Sequence, residues 1–117
     1  MARFRLSRIA EADLAQILAV SEDRWGTEGS RRYAVHIAAA MRKVAADPQG
    51  PATRDRASLS RGIRSFHVRH VRSDDPAAKV RRPVHVLYYR VVTPGLIEIV
   101  RVLHERMEPG RYIDPQL

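Results

Sequence analysis

Three histidines (His67, His85, His104), two tyrosines (Tyr88, Tyr112) and the arginines Arg54, Arg56, Arg61, Arg64 and Arg106 have the chemistry for cleaving a phosphodiester. Cleavage through a neighbouring hydroxyl needs a base, an acid and cations held against the charge that develops on phosphorus. Metal chemistry is not expected. The chain has no cysteine, and its five histidines have neither ligand spacing nor an accompanying carboxylate cluster. Strand parity also puts His67 and His70 on opposite faces. No glycine-rich loop has phosphate-cradling spacing, so no nucleotide cofactor is expected. His104 ends a run in which alternation places it with Val100 and Val102, which reads first as a hydrogen-bonded structural position.

The charge balance points to acidic partners. Lys43 and Lys79 are the two lysines among 21 basic residues, and the formal net charge is +8. Each guanidinium offers a planar fork of donors suited to phosphate or carboxylate, so nucleic acid and an acidic protein are both candidates. The longest unbroken apolar run, Ile37 to Met41, is far short of the ~20 residues a membrane helix needs. Arg3, Arg5 and Arg8 are followed by Glu11 and Asp13 rather than by an apolar signal segment. A soluble, cytoplasmic protein with no membrane partner is expected. The 117 residues fit one domain.

These side chains need a scaffold, and the patterning supplies one. Residues 3–6 alternate as a short strand, and Ser7 can cap a following helix. Ala10, Leu14, Ile17, Leu18, Ser21 and Trp25 form one helical stripe, with Trp25 expected in the core, capping a turn at Gly26. Tyr33, Ile37, Ala40, Met41 and Val44 form a second stripe, stopped by Asp47-Pro48-Gln49-Gly50-Pro51. Residues 52–62 read as turn-like and 63–71 as a strand with Phe66 and Val68 buried. Residues 73–79 read as the polar tip of a long hairpin. The runs 84–92 and 96–103 are strands apolar on both faces, hence central, joined at Thr93-Pro94-Gly95. Parity sends Tyr88 and Tyr89 to opposite faces. Residues 107–117 read as an irregular tail. The order β-α-α-β-β-β predicts a two-layer α+β domain over residues 1–117, a helical hairpin packed on a mostly antiparallel sheet.

Several phrases in this order resemble one family. They are Leu6-Ser7 with Ala10-Glu11-Ala12-Asp13-Leu14, Arg24-Trp25-Gly26, Gly62-Ile63-Arg64-Ser65-Phe66, Val86-Leu87-Tyr88-Tyr89-Arg90-Val91, and Ile99-Val100-Arg101-Val102-Leu103-His104-Glu105-Arg106-Met107. Together they resemble ParE-type toxins of the RelE/ParE toxin–antitoxin superfamily over roughly residues 3–108. The resemblance implies a type II toxin that binds DNA gyrase and stabilises its cleaved complex with DNA. It also implies a ParD-like antitoxin, acidic and partly disordered, whose C-terminal segment wraps the toxin and whose DNA-binding domain mediates operon repression. RelE-type relatives share the fold but cleave messenger RNA on the ribosome, which is the alternative reading. Their lysine-rich cluster is not matched here, and Val86 stands where they carry an arginine. The chain also departs from the family at residues 70–83, where the connection is longer than usual.

On the leading reading no residue is catalytic. The expected target contacts are Arg64, Arg101, His104, Arg106 and Arg111. The antitoxin is expected on the outer surface of the helical hairpin and an adjoining sheet edge, with Arg31, Arg32 and Arg42 as electrostatic anchors.

Overall fold

Ser7 does two jobs at the first corner. Its Oγ accepts from the Ala10 amide (3.0 Å), capping the helix, and donates to the Val100 carbonyl (2.8 Å), tying that corner to the far end of the chain. The computed structural model describes residues 2–72 and 80–117; the expected hairpin tip at 73–79 lies outside the described residues, as does part of the long 70–83 connection. Strand β1 (Arg3–Leu6) leads into the helical run α1 (Arg8–Ala46), which Gly26 interrupts with φ 75° and ψ 179°. That backbone is accessible essentially to glycine alone.

The chain reverses there. A straight helix would hold residues 18 and 30 about 18 Å apart, yet Ser30 Oγ donates to the Leu18 carbonyl at 2.9 Å. Likewise the 39-residue run would measure about 58 Å if straight, against a longest dimension of 38 Å for the molecule. The two arms thus form the expected hairpin. Trp25 departs from expectation: it is 53% exposed. It lies at the bend itself, edge-on to Tyr33 with centroids 6.4 Å apart. Gly29 makes this possible, since a Cβ there would come within 2.5 Å of the Trp25 Cβ.

The sheet has the order β1-β5-β4-β3-β2, with β2 at Arg54–Asp55, β3 at Arg64–His67, β4 at His85–Thr93 and β5 at Leu96–His104. Strand β1 runs parallel to β5 and the other pairs are antiparallel. The two strands apolar on both faces are indeed internal. Two details differ from the sequence reading. Within the polar stretch 52–62, Arg54–Asp55 pairs with β3 as a two-residue strand. The strand expected over 63–71 ends at His67, where residues 68–70 wind into a 3-10 turn. His36, buried on the second arm, hydrogen-bonds the Val68 carbonyl through Nε2 (2.7 Å) and braces that turn.

Both sheet faces carry apolar clusters. Under the hairpin, Tyr33, Ile37, Ala40, Met41 and Val44 meet Phe66, Val68, Leu87, Tyr89, Ile97, Ile99 and Val102. On the opposite face Ile63, Tyr88, Val100 and Leu103 are covered by Ile113 from the C-terminal segment. That segment is irregular apart from one 3-10 turn at Pro109–Arg111, but it is fastened. Arg101 Nη1 donates to the Tyr112 carbonyl (2.9 Å) and Ser60 Oγ to that of Pro115 (3.2 Å).

One bulge sets the facing of everything downstream. Tyr88 pairs with Arg101 and Tyr89 with Ile99, leaving Val100 as the extra residue on β5. Tyr88 and Tyr89 take opposite faces as expected, and both are buried. Beyond the bulge the parity inverts, so Val102 belongs to the hairpin cluster while Val100 joins the other. The expected grouping of His104 with both Val100 and Val102 is therefore corrected: His104 shares a side with Val102 alone.

Candidate functional site

Two concavities flank the C-terminal ends of β3 and β5. The first, of about 420 Å³, lies between the first helical arm and the ends of β4 and β5. Ile17, Val20, Trp25, Val102 and Met107 give it apolar walls, and Tyr33, His85 and His104 contribute its polar groups. Val20 and Trp25 are substantially exposed at its rim.

A neutral hydrogen-bonded pair sits in this groove. The Tyr33 hydroxyl accepts from the Val84 amide (3.3 Å), which leaves its own proton for His85 Nδ1. The remaining proton of the neutral imidazole then sits on Nε2. Burial, reinforced by His104 and His67, lowers the His85 pKa to about 4. Burial raises that of Tyr33 to about 12. Neither group carries charge near neutrality.

Beside the groove, Asp13 and Arg101 form a bidentate pair. Arg101 Nε and Nη2 donate to the two carboxylate oxygens at 2.8 Å each, and the Val102 amide donates to Oδ2 at 3.0 Å. Their side chains are 14% and 15% exposed. In the sequence this carboxylate looks like an outward-facing helix charge, outside the apolar stripe.

The second concavity, about 500 Å³, is polar and lies on the sheet face away from the hairpin. Arg54, Arg56, Arg69 and Arg106 line it with His67, His70, Tyr88, Glu105 and Glu108. The Arg56 guanidinium lies 5.7 Å from the Tyr88 ring centroid. His67 and His70 share this cleft, with ring centroids 6.4 Å apart, because the 3-10 turn after β3 folds His70 back. The opposite-face reading of this pair is thereby corrected. Burial, then Arg69, lowers the pKa of both rings; Glu105 partly opposes this at His67. His67 Nδ1 accepts from the Arg69 amide (3.1 Å), while its buried Nε2 has no hydrogen bond and faces Glu105 Oε2 at 3.6 Å. Among the described residues, no group of three His, Asp or Glu side chains is arranged to hold a metal ion.

The expected target residues are not one cluster. Arg64 is turned inward, donating to the Pro48 carbonyl (3.1 Å) and Thr53 Oγ1 (2.9 Å), and so staples the loop after the hairpin. Arg101 is engaged with Asp13 and Tyr112. His104 lines the apolar groove, Arg106 the polar cleft, and Arg111 stands exposed on the C-terminal turn. Of the expected antitoxin anchors, Arg31, Arg32 and Arg42 are all exposed on the second arm, with Arg31 also paired to Glu28 (3.3 Å). Arg31 and Arg42, eleven residues apart, share one side of that arm, and Arg32 adjoins a depression containing Trp25 and Gly29.

A family model for the ParE toxin of the type II toxin–antitoxin system parDE matches residues 4–109. The chain belongs to the ParE toxin family. It is 32% identical over 109 residues to Toxin ParE1 of Mycobacterium tuberculosis, covering 93% of this chain and 95% of that one. It is 36% identical over 113 residues to Toxin ParE1 of Caulobacter vibrioides, covering 97% and 99%. Its fold matches a chain of a solved chromosomal ParDE system from P. aeruginosa with a TM-score of 0.64 at 21% identity, over 89% of this chain and 96% of that one. As a ParE-family member it is the toxin of a type II pair, and the pairing implies an antitoxin partner. Among the described residues, no helix is long and apolar enough to cross a membrane.

Proposed function

We propose that this ParE-family toxin inhibits DNA gyrase by binding to it, and that a ParD-like antitoxin with an acidic, partly disordered C-terminal segment neutralises it in the cytoplasm. The observation that carries the antitoxin half is the apolar groove with Val20 and Trp25 exposed at its rim. A disordered segment that folds on binding needs apolar surface to offset its ordering cost. The groove offers that surface, and Arg31, Arg32 and Arg42 on the neighbouring arm supply complementary charge for the acidic residues. The antitoxin in turn connects the pair to operator DNA. For gyrase the contact residues are His104, Arg106 and Arg111; Arg101 fastens the segment that carries Arg111, while Arg64 holds the loop at Pro48 and Thr53. The inward-turned Arg64, engaged with the Pro48 carbonyl and the Thr53 hydroxyl, supports action by binding rather than by bond cleavage.

The test is a supercoiling and DNA-cleavage assay with purified gyrase, run beside a ribosome-primed messenger-cleavage assay. Linear DNA bound to gyrase, with intact message and relief by added antitoxin, is the expected result. Cut message with unaffected supercoiling overturns the reading in favour of a RelE-like ribonuclease.

A further inference from the structure

We propose that the polar cleft on the open face of the sheet binds the phosphodiester backbone of a single nucleic-acid strand. This site is separate from the apolar groove and does not depend on which enzyme the toxin inhibits.

Four guanidinium groups reach the cleft from separate segments: Arg54 on β2, Arg56 just after it, Arg69 on the 3-10 turn and Arg106 after β5. None of the four has an ion-pair partner among the described residues. Arg5, Arg90 and Arg101, by contrast, each close on a carboxylate of Glu98 or Asp13. Two carboxylates, Glu105 and Glu108, share the cleft. Glu105 faces the His67 ring, so the guanidinium groups remain in excess and open to an incoming anion.

The backbone that presents these arginines is pinned in a repeated way. At the end of β3, His67 Nδ1 accepts the amide of Arg69, and at the end of β5, His104 Nδ1 accepts the amide of Arg106, both at 3.1 Å. Strands β3 and β5 run in the same direction on either side of β4, with His67 opposite Val86 and His104 opposite His85. The two His-x-Arg corners therefore stand at one end of the sheet, about 10 Å apart across β4. Arg56 is seated over Tyr88. A backbone pinned before the ligand arrives leaves less to be ordered on binding.

The lining chooses between acidic ligands. A disordered acidic peptide needs apolar contact to offset its ordering, and this cleft offers mostly polar groups. A nucleic-acid strand gains its affinity from counterion release and bidentate guanidinium–phosphate contacts, and needs no apolar wall.

The experiment is fluorescence anisotropy of a labelled single-stranded oligodeoxyribonucleotide, and of the same sequence in RNA, titrated with the full chain across a salt series. Four phosphate contacts give a slope of log affinity against log salt of about −2.8, at ~0.7 per single-strand contact. Arg54→Ala/Arg106→Ala halves that slope and weakens binding about 25-fold at 0.1 M salt, while Arg31→Ala/Arg32→Ala on the hairpin changes it less than about twofold. Thermal melts check that both variants are folded. Preference for DNA or for RNA identifies the source of the strand, and either supports the site. Absence of binding, equal loss in the two variants, or displacement by polyglutamate as effective as by unlabelled strand overturns it.

Discussion

Replacing Asp13 by alanine should unfold this domain far more readily than the loss of an ordinary helix carboxylate. The Asp13 side chain accepts three hydrogen bonds, two from the Arg101 guanidinium at 2.8 Å and one from the Val102 amide at 3.0 Å. Removing one partner of a buried pair costs roughly 3–5 kcal/mol, because the other charge stays desolvated. Here both side chains keep about 15% exposure, so water recovers part of the loss and the lower figure of about 3 kcal/mol applies. Against a total stability of about 5–15 kcal/mol, that lowers the melting temperature by about 10 °C for a chain of this length. The assay is urea unfolding of Asp13→Ala, Arg101→Met and the double variant. Each single variant leaves a partner stranded, whereas the double removes both charges, so its cost should fall short of the sum by about 2 kcal/mol or more. A coupling below about 0.5 kcal/mol, the range of exposed pairs, would refute the reasoning. The cycle also separates two meanings of lost toxicity at Arg101: a positioning role predicts that Asp13→Ala reproduces it.

Other expectations follow from the same structure. Gly26→Ala meets open space but must adopt φ 75°, ψ 179°; the strain should cost roughly 1–3 kcal/mol, read by thermal denaturation. Ile113→Ala removes the lid of the second cluster and should cost roughly 2–4 kcal/mol, with Met107 and Tyr112 becoming more accessible to solvent probes. The His85 pKa is about 4 in the folded protein against an ordinary 6.5. Below pH 6.5 the unfolded chain therefore takes up a proton that the folded chain refuses, and stability falls as the pH drops from 6.5 to 4. Urea midpoints at pH 7 and 5 should show this decline, and His85→Gln should flatten it; an equal decline in the variant would assign the effect to other groups. Arg31→Glu/Arg32→Glu should weaken antitoxin capture at low salt, with the difference fading at high salt. Unchanged capture at low salt would move the antitoxin to another surface.

The layers and the order of helices and central strands were legible because they follow from periodicity. The stripe from Tyr33 to Val44 and the doubly apolar runs of β4 and β5 admit one sensible packing. The sites were less legible, for identifiable reasons. Strand parity holds only while pairing is regular, and the extra residue Val100 inverted the side on which His104 stands. The turn after β3 likewise brought His70 beside His67. Arginine identity says nothing of engagement: Arg64 and Arg101 are occupied internally while Arg54, Arg56, Arg69 and Arg106 gather in a cleft. A signal for that cleft was present, since Val86 and Tyr88 share one parity on β4 and face Ser65 and His67 on β3. Trp25 lies outside the core, and helical spacing does not show that the residue just before the Gly26 bend is left half-covered.

The knot of contacts between the two ends of the chain has a consequence for timing. Strand β1 pairs with residues 96–99, Ser7 holds Val100, and Asp13 holds Arg101, separations of about ninety residues. Chains emerge from the ribosome N-terminus first, so the helical hairpin can form early, but β1 has no partner until β5 has been made. The groove waits for Val102 and Met107, and the cleft for Arg106. Any message cut short upstream of these codons yields a fragment with neither surface.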